Sequence, residues 1–189
     1  MKIGVYVGSF DPVHLGHVEI TNYLLSNKIL DKVIIIPTGN YWDKNDLSDI
    51  QNRVEMLNIF ENDKIIIDSK LSKYQYTYEI LNELKNQHSN ATLYLIIGAD
   101  NLKKFHLWRN IEVILQNKII VINRNGIKAI KYINKFSNKK AFLVINGFEE
   151  LNISSSEIRK RIKSNKNVSS LLDRRVINYI CENNLYGGK

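Results

Sequence analysis

Six short aliphatic and β-branched runs, at residues 3–7, 33–36, 65–67, 93–97, 119–122 and 142–145, punctuate this chain and constrain its fold more than any other feature. Each run is almost continuously apolar, the pattern of a strand buried on both faces. Between them lie segments with helical spacing: Val18, Tyr23 and Leu24; Val54, Leu57 and Phe60; Ile80, Leu81 and Leu84; Ile111, Ile114 and Leu115. Each is long enough to be read as a crossover helix. Alternating β and α segments with such strands predict a parallel sheet covered by helices on both faces, a doubly wound α/β domain.

After residue 145 the periodicity turns helical, through Ile153, Ile158 and Ile162 and then Leu172, Val176, Ile177 and Ile180. One domain is expected over residues 1–189, with a Rossmann-like core over 1–150 and a helical segment over 151–189. Chains of this length commonly form one core. Ser154 with Glu157 three residues later reads as a capping box, so a helix should begin near Ser154 or Ser155 and expose backbone N–H groups there.

With 44% hydrophobic and 24% charged residues the composition is that of a globular protein. The sole cysteine, Cys181, excludes an internal disulfide and a cysteine-based zinc site. No secretory signal and no run of about 18 apolar residues is visible, so a cytoplasmic protein without a membrane span is expected. The formal charge of +8 comes from scattered lysines amid abundant Asn and Ile. AT-rich coding bias or steering of a polyanion such as ATP would each produce it, and without a basic aromatic sheet motif no nucleic-acid partner is expected.

In open α/β sheets ligands gather at the carboxyl ends of strands, and the first strand runs into Gly8-Ser9-Phe10-Asp11-Pro12-Val13-His14-Leu15-Gly16-His17. Gly8 permits a tight turn and close approach of backbone to an anion. Pro12 restricts the chain before a helix beginning around His14. His14 and His17, three apart, share one face of that helix's first turn, Gly16 leaves room for a phosphate, and the helix dipole adds attraction.

This string resembles the HxGH signature of the nucleotidyltransferase superfamily, with His14-Leu15-Gly16-His17 as the tetrapeptide. Ile153-Ser154-Ser155-Ser156-Glu157-Ile158-Arg159 resembles that family's ISSTxIR signature, with Ser156 where Thr is usual. The resemblance implies an ATP site of Gly8, Ser9, Phe10, His14, Gly16, His17, Ile153, Ser154, Ser155 and Arg159, in which the histidines contact the phosphates and stabilise the transition state. Arg159 at a serine-rich helix start suits a triphosphate, because a guanidinium forms paired charge-assisted bonds.

Several members share the first signature, among them pantetheine-phosphate adenylyltransferase and the glycerol-phosphate and choline-phosphate cytidylyltransferases. The middle of the chain points to the bacterial nicotinate-nucleotide adenylyltransferases. Tyr76-Thr77-Tyr78-Glu79-Ile80-Leu81 is similar to their YTxxTL segment, Gly98-Ala99-Asp100 with Trp108 to their GAD motif and downstream Trp, and Arg53-Val54-Glu55-Met56-Leu57 to their RxxML helix. Asp173 through Tyr186 resembles their C-terminal helix ending in Leu-Tyr. The resemblance implies that Tyr76, Thr77, Gly98, Asp100 and Trp108 bind a pyridine mononucleotide, with Trp108 stacked on the ring and Asp100 on the ribose.

The family's PPHK stretch appears here as Asn40-Tyr41-Trp42-Asp43-Lys44, in which only Lys44 survives as a phosphate ligand. His88 and His106 read as surface residues. The implied reaction transfers AMP from ATP, with Mg²⁺ carried by its phosphates, to nicotinate mononucleotide, with His14, His17, Arg159 and Lys44 stabilising charge. Nicotinamide mononucleotide as the preferred or an equal acceptor, a non-catalytic nucleotide sensor and a basic RNA-binding module are the alternatives. The oligomeric state is left open, a homodimer included.

Overall fold

The computed structural model describes residues 1–39, 47–123, 127–145 and 153–187. Its strands are β1 (Lys2–Gly8), β2 (Lys32–Pro37), β3 (Ile65–Ile67), β4 (Thr92–Gly98), β5 (Lys118–Ile122) and β6 (Phe142–Ile145). They form one sheet in the order β3-β2-β1-β4-β5-β6, and every pairing is parallel. The direction of strand addition reverses between β1 and β4. This is the doubly wound, Rossmann-like arrangement read from the sequence, and its switch point lies between those two strands.

The helices are α1 (Leu15–Ser26), α2 (Ile50–Asn58), α3 (Thr77–Gln87), α4 (Ile111–Ile114), α5 (Ile130–Ile133), α6 (Ser155–Lys163) and α7 (Arg174–Glu182). Because side chains alternate across a strand, each apolar run supplies two cores. Ile3 and Val5 of β1, Leu93, Leu95 and Ile97 of β4, and Ile119 and Val121 of β5 pack with Ile80, Leu81 and Leu84 of α3. Tyr6, Ile96, Ile120 and Ile122 face the other way, against Ile20 and Leu24 of α1, Met56 and Leu57 of α2, Ile158 of α6 and Val176 of α7. The helical tail thus covers the same face as α1 and α2.

Three local expectations are corrected. The segment with Ile111, Ile114 and Leu115 forms only the single turn α4, because 3₁₀ turns at Asn101–Lys103 and Phe105–Leu107 already use much of the β4-to-β5 crossover. Asn110, left-handed at φ 50°, admits one further turn before β5. Phe60 lies beyond α2, with the Arg175 guanidinium 5.4 Å over its ring. The capping box at Ser154 is half formed: Ser154 Oγ accepts from Glu157 N at 3.2 Å, but Glu157 pairs with Arg161. The helix nevertheless starts at Ser155 as read. His106 is exposed, and His88 is half-buried at the end of α3. Among the described residues no helix is long and apolar enough to cross a membrane.

Candidate active site

The pairing that sets Tyr6 opposite Ile96 leaves β1 and β4 each running two residues further, to Gly8 and Gly98. Both motif-bearing turns therefore leave the sheet side by side at the switch point, where a doubly wound sheet opens a crevice. Gly8 has a packing reason, since a Cβ there would meet the Phe10 ring at 3.1 Å. Phe10 holds the left-handed region at φ 49° and is buried. The turn closes by sending this ring into the core.

His14 caps α1 and His17 lies in its first turn. Their imidazoles stack with centroids 3.6 Å apart. The pair is not symmetric: His14 is 4% exposed, whereas His17 is half-buried and also packs edge-on against Phe10 and Tyr6. His17 Nδ1 accepts from the backbone N–H of His14 at 3.3 Å. In the neutral ring this assigns the proton to Nε2, the nitrogen that then serves as donor. Of the two, His17 is the more accessible to an anion.

The second signature is stitched directly onto this turn. Ser155 Oγ donates to the Pro12 carbonyl at 3.0 Å, and Arg159 Nη1 donates to the Asp11 carbonyl at 2.7 Å. The backbone N–H of Leu15 donates to the Leu171 carbonyl at 3.0 Å. Residues more than 140 positions apart in sequence are thereby brought together, and the N-termini of α1 and α6 converge on one crevice with their positive dipole ends. One N–H of Arg159 is committed to main chain, and the side chain stays 26% exposed. Ser154 is exposed and Ile153 is buried.

On the β4 side, Asp100 follows Gly98 and the buried Ala99. Its Oδ1 is buried and makes no hydrogen bond among the described residues. Native proteins seldom leave such an oxygen unsatisfied, and a ligand hydroxyl would satisfy it. Trp108 is half-buried, edge-on against Phe105 at 4.9 Å. Tyr76 caps α3, Thr77 opens it, and the Arg109 guanidinium sits 5.9 Å over the Tyr76 ring. That contact sets the α3 start beside the residue that follows Trp108. Lys44 and the divergent stretch around Trp42 lie outside the described residues.

Asp11, Ser48, Arg53 and Tyr186 were given no role from sequence, and the structure makes them the frame of the site. Asp11 is fully buried. Its carboxylate accepts from the hydroxyl and N–H of Ser48 and from Tyr186 Oη at 2.6 Å, with Arg159 Nη1 3.6 Å away. Arg53, also fully buried, donates to the carbonyls of Ser9 at 2.8 Å, Thr38 at 2.7 Å and Ser48 at 3.1 Å. It ties the ends of β1 and β2 to the start of α2. Burial pushes its guanidinium pKa down, opposed by the charge of Asp11. Burial likewise pushes the Tyr186 phenol well above the usual tyrosine range, and the Asp11 carboxylate adds to the rise.

Two signals for this frame were present. A carboxylate in a turn expected to bind phosphate would repel that phosphate, so Asp11 had to point away from it. Arg53, Met56 and Leu57 share one helix face at i, i+3 and i+4, and the two apolar partners mark that face as buried.

A parallel sheet with two helix starts joined at its switch point, one bearing a stacked His pair and the other an Arg, is the arrangement of a nucleotidyltransferase. Residues 5–161 match the family model described as Cytidylyltransferase-like. A "probable nicotinate-nucleotide adenylyltransferase" of Fusobacterium nucleatum is 37% identical, covering 93% of this chain and 95% of its own. One from Flavobacterium psychrophilum is 36% identical over 98% and 99%. The solved Plasmodium falciparum nicotinic acid mononucleotide adenylyltransferase complexed with NaAD superposes with a TM-score of 0.84 at 25% identity, covering 100% of this chain and 98% of its own. The chain belongs to the cytidylyltransferase-like family and, within it, to the nicotinate-nucleotide adenylyltransferases.

Proposed function

We propose that the chain transfers AMP from ATP to the phosphate of nicotinate mononucleotide, releasing pyrophosphate and forming nicotinate adenine dinucleotide in NAD biosynthesis. The observation that carries this reading is the joining of Ser155 and Arg159 to the His14/His17 turn beside β4. One half of the crevice is thereby suited to a triphosphate. The other half, with Asp100, Trp108, Tyr76 and Thr77, suits a flat heterocycle on a ribose. The names of the family relatives support the same acceptor.

An oxygen of the acceptor phosphate forms a bond to the α-phosphorus of ATP as the bond to the bridging oxygen of the β-phosphate breaks. The acceptor is mostly dianionic near neutral pH, its second pKa being about 6, so neither a protein nucleophile nor a general base is required. Catalysis reduces to alignment and charge stabilisation. His14, His17 through its Nε2 proton, and Arg159 act on the triphosphate, and Lys44 adds positive charge. Gly8, Ser9, Phe10, Gly16, Ile153 and Ser154 shape the ATP pocket, and Gly98 allows the acceptor close to β4.

Among the described residues no cluster of three or more His, Cys, Asp or Glu side chains is arranged to hold a metal. Mg²⁺ enters with ATP, held mainly by its phosphate oxygens. The Rossmann-like core read over 1–150 and the helical segment read over 151–189 are taken as one cytoplasmic domain, in which α6 completes the ATP site. Pyrophosphate release with MgATP is to be measured against nicotinate mononucleotide, nicotinamide mononucleotide and phosphopantetheine. Fastest release with the first is expected; preference for the amide or for phosphopantetheine would overturn the acceptor assignment.

A further inference from the structure

Tyr186 has no place in the chemistry above, yet its position is closely specified. It sits in the turn after α7 in the left-handed region, at φ 61°, which a non-glycine residue adopts only when its surroundings hold it there. What holds it is Asp11. The phenol donates to Asp11 Oδ1 at 2.6 Å, the same oxygen that accepts from the Ser48 hydroxyl, while Oδ2 accepts from Ser48 N. Two cations also act on that carboxylate: the fully buried Arg53, whose three hydrogen bonds go to main-chain carbonyls, and the Arg159 guanidinium, 3.6 Å from Oδ2 and hydrogen-bonded through Nη1 to the Asp11 carbonyl.

Arg159 therefore lies between two claims. The buried Asp11 carboxylate attracts it, and it is required to face a triphosphate. Donors on Asp11 offset the first claim, because a carboxylate satisfied by hydroxyl and amide donors pulls less strongly on a neighbouring cation. Resting on the adenylyl-transfer reading, we propose that Tyr186 is a positioning residue: by donating to Asp11 it keeps Arg159 at its distance from the carboxylate and in register with the His14/His17 turn. Without the phenol, Asp11 draws the guanidinium inward from the phosphates. The turn after α7 thus acts on the nucleotide half of the site and leaves the pyridine half alone.

Tyr186→Phe keeps the ring and removes the donor. Steady-state pyrophosphate release should show kcat lowered about tenfold and the KM for MgATP raised a few-fold, the scale of one hydrogen bond to a charged group. The KM for nicotinate mononucleotide should stay within about twofold. Because the effect passes through Asp11, Tyr186→Phe should add little once Asp11→Asn has removed the charge that attracts Arg159. An unchanged kcat, an equal rise in both KM values, or full additivity with Asp11→Asn would overturn the proposal. A fall in Tm alone, with normal kcat, would mark Tyr186 as purely structural and would also overturn it. Should Asp11→Asn fail to fold, the split between the two KM values decides. Should wild type turn over none of the acceptors, the functional reading fails separately, and calorimetric MgATP affinity of Tyr186→Phe tests the positioning role. A few-fold loss supports that role, and equal affinity overturns it.

Discussion

Replacing Arg53 with Met tests whether a buried cation braces the active site through main chain. Arg53 is fully buried and donates to the carbonyls of Ser9, Thr38 and Ser48 at 2.8, 2.7 and 3.1 Å. A hydrogen bond from a charged donor contributes about 1.5–3 kcal/mol, so three represent roughly 5–9 kcal/mol of gross interaction. Against this stands the desolvation of the guanidinium, several kcal/mol, which Met escapes. Removing one member of a buried charge pair typically leaves a net loss of about 3–5 kcal/mol, and the three stranded carbonyls and the nearby Asp11 place Arg53→Met in that range. With a urea slope of about 2–3 kcal/mol per molar, the midpoint should fall by about 1–2.5 M in equilibrium unfolding followed by circular dichroism. Arg53→Lys keeps the charge but not the fork, and should lose roughly half as much. A midpoint for Arg53→Met within about 0.3 M of wild type would refute the reasoning, because it would mean that the three bonds only offset burial of the cation.

His17→Ala should lower kcat by about 10²–10³, the scale of one lost charge-stabilising donor, while the KM for the pyridine nucleotide barely moves; near-normal turnover would remove His17 from the chemistry. Trp108→Ala should act the other way, raising the KM for the pyridine nucleotide severalfold with a smaller change in kcat, as loss of a stacking face of about 0.5–1.5 kcal/mol requires. Asp173 caps α7 by accepting from Arg175 N, and its bond to the Arg175 side chain is the chief cause that holds its carboxyl pKa below the usual range. A lowered folded-state pKa means that its contribution is present above about pH 4, the unfolded value, and is lost as pH falls through the folded value. Asp173→Ala should therefore cost about 1 kcal/mol at neutral pH and progressively less in acid, as read from urea midpoints across pH.

The doubly wound sheet was legible because its signal is local and repeated: strands buried on both faces have no polar alternation, and each helix carries its own apolar period. The two signature turns were legible for a related reason. A Gly-rich turn with His14 and His17 at helical spacing, or a run of serines before Arg159, does its work within one or two helical turns, so chain order preserves the arrangement. The length of α4 was not legible, because the space taken up by the 3₁₀ turns at 101–107 is decided by packing rather than by the spacing of Ile111 and Ile114.

By itself, then, the sequence determined the class of fold, the order of its elements and the two motifs that the fold joins at the switch point. Only the tertiary structure decided that His17 is the more accessible imidazole, that one N–H of Arg159 is bound to the Asp11 carbonyl, and that Asp11, Arg53 and Tyr186 form the frame behind them. The physical reason is separation along the chain. A buried charge is tolerable only where partners from other segments satisfy it, and those partners, 37 to 175 residues away for Asp11, are neighbours only after the chain has folded.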